Sequence, residues 1–259
     1  MHYSDEDVLQ FFEENGRIGK VESIACGDAT IRVVKSGNNS SKSCIIFSHG
    51  APGSWDAFKG FLVDARLLSE ADLISYDRPG YGGSGTGQSY PEISFQAECL
   101  IELMDTSHYD SFYLVGHSFG GPIVMEAAML DPLNIDGVVL IAPVVDPATE
   151  KYFIGGKLAY WPLTRWLWPQ NFQVSADEKY KHVEELQNME SAMDSYQTST
   201  LFIHSMDDWI APAAGNIEFL GKMVPDTLLE SRIYQDKGHL VLWTDHDMVV
   251  DLILEFIRG

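Results

Sequence analysis

The order of apolar and polar positions predicts strands and helices that alternate along most of the chain. Short runs rich in β-branched and aromatic residues predict buried strands, and apolar positions repeated roughly every three to four residues predict helices. The predicted strands lie at 21–25, 30–34, 43–47, 73–76, 111–115, 136–142, 199–203 and 228–234. The predicted helices lie at 4–15, 55–68, 92–104, 123–130 and 213–223, with a last one that ends near residue 257. This alternation is typical of an α/β fold, in which helices cover both faces of a mostly parallel sheet.

The alternation stops between residues 147 and 196, and this interruption divides the chain into a core and an insertion. The segment is too long for a loop between two elements and too short for a second domain. It contains an aromatic run at 160–169 and a charged, helical stretch at 176–193. We therefore predict a core domain of residues 1–146 and 197–259 and a small helical lid at 147–196. The lid tryptophans, Trp161 and Trp166 among them, either form its core or face an apolar substrate.

The segment Gly116-His117-Ser118-Phe119-Gly120 joins a predicted strand directly to a predicted helix. A chain that passes so abruptly from strand to helix turns sharply, and its central residue is strained. Glycine on both sides removes the Cβ atoms that would collide in such a turn. The turn presents the Ser118 hydroxyl at a helix N-terminus, where the helix dipole and free N–H groups favour developing negative charge. The alternative is a glycine-rich turn with an incidental serine.

Net charge indicates the class of partner, and cysteine content bears on the redox compartment. The chain has 17 Lys and Arg against 38 Asp and Glu, a formal net charge of −21. So acidic a protein repels a phosphate backbone, and we expect a small-molecule substrate and no nucleic-acid partner. The three separated cysteines, Cys26, Cys44 and Cys99, suit a reducing compartment or simple core filling. They predict neither a disulfide framework nor a zinc site.

The N-terminal segment and the glycine pattern bear on location and cofactors. Residues 1–15 are acidic and lack a basic region followed by an apolar one, so we expect no signal peptide and a cytoplasmic location, although a signal already removed would leave the same sequence. No apolar run approaches the ~18 residues of a membrane span.

Glycines at 80, 82 and 85 match a dinucleotide-binding pattern. The loop continues to Pro91 instead of opening a helix, so we expect no cofactor.

Four segments follow one another in an order that is typical of one enzyme family. They are His-Gly-Ala-Pro-Gly at 49–53, Asp-Arg-Pro-Gly-Tyr-Gly at 77–82, the turn at 116–120 and Gly238-His239. On these motifs the chain resembles the α/β-hydrolase superfamily, from about residue 43 to residue 257. The resemblance implies an α/β-hydrolase fold with a lid and an activity that needs no cofactor.

The resemblance also implies a triad in the chain order Ser, Asp, His, made of Ser118, Asp208 and His239. A serine hydroxyl needs a neighbouring imidazole to remove its proton, and the imidazole needs a buried carboxylate to fix its tautomer. Asp208 stands four residues before Pro212, as the family's acid does in an Asp-x-x-apolar-Pro pattern. The competing candidates also lie at strand ends: Asp207 and Asp146 for the acid and His204 for the base.

The family's oxyanion hole maps onto the backbone N–H groups of Phe119 and Ala51, because Pro52 has no N–H. His49 is expected to brace its own loop. Serine at position 118 excludes the relatives that use an aspartate nucleophile there, the haloalkane dehalogenases and the epoxide hydrolases. Local acidic pairs such as Asp207-Asp208 are expected to be polar loop residues and not metal ligands.

Taken together, these features predict a serine esterase that cleaves an ester-like bond of a small, apolar substrate through an acyl-enzyme. An aminopeptidase similar to proline iminopeptidase, whose lid carboxylates hold a free amine, is a second hypothesis. This lid offers Glu184, Glu185 and Glu190. Against that hypothesis, Ala51 and Phe119 stand where that family has glycine and tryptophan. A carbon–carbon bond hydrolase and a catalytically silent binding protein on the same scaffold are also compatible with the motifs.

Overall fold

The computed structural model describes residues 3–37, 41–85, 87–152 and 154–259. The strands within these ranges are β1 Gly19–Cys26, β2 Ala29–Ser36, β3 Ser43–Ser48, β4 Asp72–Tyr76, β5 Ser111–His117, β6 Ile135–Ile141, β7 Thr200–Ser205 and β8 Leu229–Tyr234. They form one sheet in the order β1-β2-β4-β3-β5-β6-β7-β8. β2 is antiparallel to β1 and β4, and the remaining neighbours are parallel. The predicted mostly parallel sheet is confirmed.

The described α-helices are α1 Asp5–Glu14, α2 Lys59–Leu62, α3 Ala65–Leu68, α4 Ile93–Asp105, α5 Gly120–Leu130, α6 Ile154–Tyr160, α7 Gln170–Glu190, α8 Ala213–Met223, α9 Val241–Thr244 and α10 His246–Arg258. Single turns of 3-10 helix lie at Trp55–Phe58, Pro147–Thr149, Arg165–Leu167 and Met193–Ser195. The single helix predicted over 55–68 is wrong, because the chain breaks between α2 and α3. The Asp64 carboxylate there accepts the N–H of Arg66 at 2.8 Å and caps a new helix.

Apolar side chains cover both faces of the sheet, as the strand pattern predicts. Successive residues of β3 alternate between the faces: Ile46 joins a cluster with α4 and α5, whereas Ile45 and Phe47 join a cluster with α3 and α10. Strands buried on both faces form continuous apolar runs, which is why sequence patterning located them. None of the described helices has the length and apolar character needed to cross a membrane.

The prediction that the cysteines form no disulfide is wrong for one pair. Cys26, at the end of β1, is bonded to Cys99 in α4, with a Cα–Cα distance of 5.3 Å. The two residues lie 73 positions apart, and only the packing of the β1–β2 hairpin against α4 brings them together. Cys44 is free and buried in β3, as core filling predicts. The disulfide removes the basis for inferring a reducing compartment from cysteine usage.

Helices α6 and α7 lie between β6 and β7, where the lid is predicted, and we refer to residues 147–196 as the lid segment. α7 begins at Gln170, earlier than the predicted start of the charged stretch at 176. Its buried residues include Val174, Leu186 and Met189, so one side of this charged helix packs against the core. The opposite side is solvated, which explains its polar appearance in the sequence.

Candidate active site

Ser118 lies in the sharp turn between β5 and α5. Its φ is +53°, in the left-handed region that costs energy for any residue except glycine. A Cβ on Gly116 would collide with the carbonyl oxygen of Gly120, and a Cβ on Gly120 would collide with that of Ser48. Both glycines are therefore required by close backbone approach, as the sequence predicts. The helix begins at Gly120, and Pro122 lies in its first turn as the sequence predicts.

The imidazole of His239 lies between Ser118 and Asp208. Its Nε2 is 3.0 Å from the Ser118 Oγ, and its Nδ1 is 2.7 Å from the Asp208 Oδ2. The second carboxylate oxygen of Asp208 accepts the N–H groups of Ile210 and Ala211 at 2.9 and 2.8 Å. An ionised Asp208 requires the proton on Nδ1, which leaves the Nε2 lone pair free to accept the serine proton.

The environment of Asp208 keeps its carboxylate ionised. Burial alone would raise the pKa of Asp208, but the hydrogen bond and the charge of His239 lower it. The N–H of Ala211 acts in the same direction, and the pKa ends below its usual value. A carboxylate that stays charged at neutral pH stabilises an imidazolium beside it.

The competing candidates have other partners. Asp207 accepts the N–H of Asp236 at 2.7 Å, and Asp146 accepts the N–H of Ala148 at 2.9 Å. The Nδ1 of His204 accepts the N–H of Ser205 at 2.8 Å, and burial lowers the pKa of this histidine to about 4. The hydrogen bonds of these three side chains thus go to backbone N–H groups and not to the side chains of Ser118 or His239.

Two backbone N–H groups beside Ser118 are available to an oxyanion. Among the residues that the structure describes, neither the N–H of Ala51 nor that of Phe119 donates a hydrogen bond. The loop that carries Ala51 lies close to the serine, because a Cβ built on Gly50 would be 3.0 Å from the Ser118 Cβ. His49 braces this loop as expected: its Nδ1 donates to the Gly50 carbonyl at 2.7 Å, and its Nε2 accepts from the Arg78 N–H at 3.0 Å.

A cavity of about 840 Å³ contains Ser118 and His239 in its wall. Most of the remaining wall comes from the loop at 50–54, from α2 and from residues near α9, including Phe61 and Trp243. Among the described residues that line it, Asn171 comes from the lid segment, whereas the predicted substrate-binding residues Trp161 and Trp166 are absent. Both tryptophans are exposed on the protein surface. Their role in substrate binding stays a prediction that this cavity does not support.

A buried ionic cluster behind the site escaped the sequence analysis. Arg78 and Glu178 are fully buried and form a two-pronged ion pair, with N–O distances of 2.7 and 3.2 Å. Tyr81 donates to the same carboxylate at 2.5 Å, and Gln96 donates at 3.0 Å. Burial opposes the charge of Arg78, but the carboxylate of Glu178 raises its pKa above the ordinary value. In the sequence Glu178 is one of many charged residues in a polar helix, and nothing marks it as buried. The motif at 77–82, which contains Arg78 and Tyr81, was the signal in the sequence for this cluster.

This cluster connects the lid segment to the turn and the loop of the site. Arg78 donates to the Gly50 carbonyl at 3.2 Å, and its guanidinium lies 4.8 Å from the centre of the Phe119 ring. His182 of α7 stacks on the same ring with a centroid distance of 4.3 Å. Burial lowers the pKa of His182 to about 3, so the stacked ring is neutral. Helix α7 therefore contacts the side chain of Phe119 directly and reaches the loop that carries Ala51 through Arg78.

One acidic cluster away from Ser118 has the composition of a metal site. Asp64, His246 and Asp247 offer ligand atoms within 4.8 Å of one another. The guanidinium of Arg66 already lies 2.7 Å from oxygens of both Asp64 and Asp247. A metal ion would have to displace this cation, so the arrangement is that of a surface ion-pair network.

Comparisons with known proteins agree with this fold. A sequence profile of the family described as alpha/beta hydrolase fold matches residues 44–165. RutD of Yersinia enterocolitica, named as a carbamate hydrolase, is 24% identical over 253 residues, which cover 85% of this chain and 89% of that protein. A structure named as an aryl esterase from Burkholderia cenocepacia superposes with a TM-score of 0.76 at 19% identity, covering 92% of this chain and 98% of that one. Naproxen esterase from Bacillus subtilis gives a TM-score of 0.68 at 16% identity, with 99% and 100% covered. The chain thus has the α/β-hydrolase fold, and its residues 44–165 match the α/β-hydrolase family.

Proposed function

We propose that this protein is a serine hydrolase that cleaves an ester-like bond of a small, largely apolar substrate through an acyl-enzyme. The observation that carries the proposal is the unbroken hydrogen-bonded path from Ser118 through His239 to Asp208. This path opens into a cavity large enough for a small organic molecule. Phenylalanine and tryptophan side chains in the cavity wall favour an apolar substrate.

The proposed reaction follows from the positions of these groups. The Ser118 Oγ attacks the carbonyl carbon while the His239 Nε2 takes its proton, and Asp208 stabilises the imidazolium. The N–H groups of Ala51 and Phe119 donate to the oxyanion of the tetrahedral intermediate. His239 then protonates the leaving alcohol. Water attacks the acyl-enzyme while His239 takes its proton, and His239 returns that proton to the Ser118 Oγ as the bond to the acyl group breaks and the acid is released.

The lid carboxylates give little support to the aminopeptidase hypothesis. Glu184 pairs with Lys181 on the surface, and Glu185 accepts the N–H of Ile93 at 3.1 Å. Among the described residues, these two and Glu190 are absent from the wall of the cavity that contains Ser118. An ester therefore suits the cavity better than a substrate with a free amine. Cleavage of a carbamate, which the name of RutD suggests, or of a carbon–carbon bond would use the same serine nucleophile. Both kinds of substrate should therefore be tested beside esters.

Hydrolysis of a short p-nitrophenyl ester by purified protein tests the proposal. The wild type should show a burst of one equivalent of nitrophenolate, since acyl-enzyme formation releases the alcohol first. Ser118→Ala should reduce turnover to the residual level left by the oxyanion hole, ~10³–10⁴ over water. Ser54→Ala changes a serine in the same cavity wall and should retain most activity. A folded Ser118→Ala protein with near-wild-type rates would refute the assignment of Ser118 as nucleophile. Faster cleavage of a matched carbamate or aminoacyl amide would refute the proposal that the substrate is an ester.

A further inference from the structure

The lid segment exposes an apolar surface that the proposed hydrolysis does not use. We call it the lid apolar surface, and its side chains are between 39% and 79% exposed. Its members are Ile154, Leu158, Trp161, Leu163, Trp166 and Leu167. Single exposed leucines are common on soluble proteins, but contiguous apolar patches mark interaction sites.

The members of this surface are neighbours because of the local fold. Ile154, Leu158 and Trp161 follow a helical spacing of four and three residues, which places them on one face of α6. The next turn folds back onto that helix, since the Thr164 hydroxyl donates to the Leu158 carbonyl at 2.5 Å. On another side of α6, Tyr160 stacks on a tyrosine of α7 at 4.0 Å. The buried residue Ala159 marks the side of α6 that packs inward, and the apolar face is turned to solvent.

Local charge distinguishes this surface from the rest of the molecule. Residues 151–176 contain three basic residues and no Asp or Glu, in a chain of net charge −21. Arg165 pairs with Asp177 at 2.5 Å. Within the described part of the chain, Lys157 has no carboxylate within ion-pair distance. Lys157 therefore places a positive charge beside the lid apolar surface, on an otherwise acidic protein.

We propose that the lid apolar surface docks reversibly onto an anionic lipid surface. Tryptophan and leucine side chains partition into the boundary between head groups and acyl chains, and adjacent lysines are attracted to anionic head groups. At physiological salt the Debye length is ~8 Å, so acidic residues on the far side of the molecule are screened from the membrane. A second copy of the chain is the less favourable occupant, because a symmetric contact would place two positively charged segments face to face.

Co-sedimentation with lipid vesicles tests the inference independently of hydrolysis. The wild type and Ser118→Ala should both bind vesicles of phosphatidylcholine and phosphatidylglycerol in equal parts, and bind more weakly to pure phosphatidylcholine. The double variant Leu163→Ser/Trp166→Ser should reduce binding to the anionic vesicles at least tenfold. Lys157→Glu should reduce it by about fivefold or more and leave binding to phosphatidylcholine unchanged.

A matched control uses apolar residues of similar exposure outside the lid segment. The double variant Ile18→Ser/Leu133→Ser changes side chains that are 74% and 91% exposed, and it should bind vesicles as the wild type does. Equal loss in both double variants, or no vesicle binding by the wild type, would overturn the proposal. So would a concentration-dependent dimer that Leu163→Ser/Trp166→Ser abolishes in the absence of vesicle binding, since the occupant would then be a second copy.

Discussion

Replacing Glu178 with Gln tests whether the buried ion pair holds the lid segment to the core. The Glu178 carboxylate accepts two hydrogen bonds from Arg78 and one each from Tyr81 and Gln96. Glutamine keeps the shape but removes the charge and turns one acceptor into a donor that faces other donors. The fully buried guanidinium then lacks its counter-charge. Breaking a buried pair in this way lowers the free energy of unfolding by about 3–5 kcal/mol.

Urea titration measures this loss as a shift of the midpoint at constant slope. Turnover of the ester should fall as well, because Arg78 also donates to the Gly50 carbonyl and lies over the Phe119 ring. Glu218→Gln is the control: its carboxylate pairs with Lys222 at 2.6 Å on the exposed face of α8, and its loss should leave stability unchanged. If Glu178→Gln costs no more stability than Glu218→Gln, the ion pair does not hold the lid segment and the reasoning fails.

Three further substitutions test the proposed triad acid Asp208, the buried histidine His204 and the helix glycine Gly221. In the ester assay Asp208→Asn should lower turnover by ~10⁴, because an amide favours the wrong histidine tautomer, while Asp207→Asn should keep it. Folded His204 has a pKa of about 4 against the ordinary 6.5, so the unfolded chain binds this proton first as pH falls and stability drops between these values. Urea titrations across this pH range measure the loss of unfolding free energy, which is about 1.4 kcal/mol per pH unit for one histidine. His204→Gln should remove this loss. The control His108→Gln, at an exposed position, should leave it in place. Gly221→Ala should raise the unfolding free energy by roughly 0.8–1 kcal/mol in thermal melts, since a Cβ in this helix meets nothing within 4 Å.

The parts of the fold that the sequence predicted are those that depend on local chemistry. The central strands are apolar runs because both their faces are buried, and the turn at Ser118 needs glycine because its backbone atoms approach closely. Asp208 and His239 were identified through the family's order of motifs, and the structure brings both to Ser118. Their assignment as catalytic residues rests on the proposed mechanism.

The parts that escaped prediction depend on contacts between distant segments. Cys26 and Cys99 are separated by 73 residues, and Arg78 and Glu178 by 100, so no local pattern relates the members of either pair. The break at Asp64 is local, but an aspartate inside a helical pattern is also compatible with an uninterrupted helix. Its cap becomes visible only once the side chain is placed.

The position of the lid segment along the chain has a consequence for biosynthesis. Ser118 and the loop that carries Ala51 precede this segment, whereas Asp208 and His239 follow it. A ribosome therefore completes the proposed nucleophile before the proposed base, and a nascent chain that ends at residue 199 contains Ser118 but neither Asp208 nor His239. His239 follows β8, the strand that pairs with β7 at the edge of the sheet. On the proposed mechanism, hydrolysis begins only after residue 239 has been synthesised, and a chain cut within the lid segment should yield two inactive fragments whose regained activity would report their reassembly.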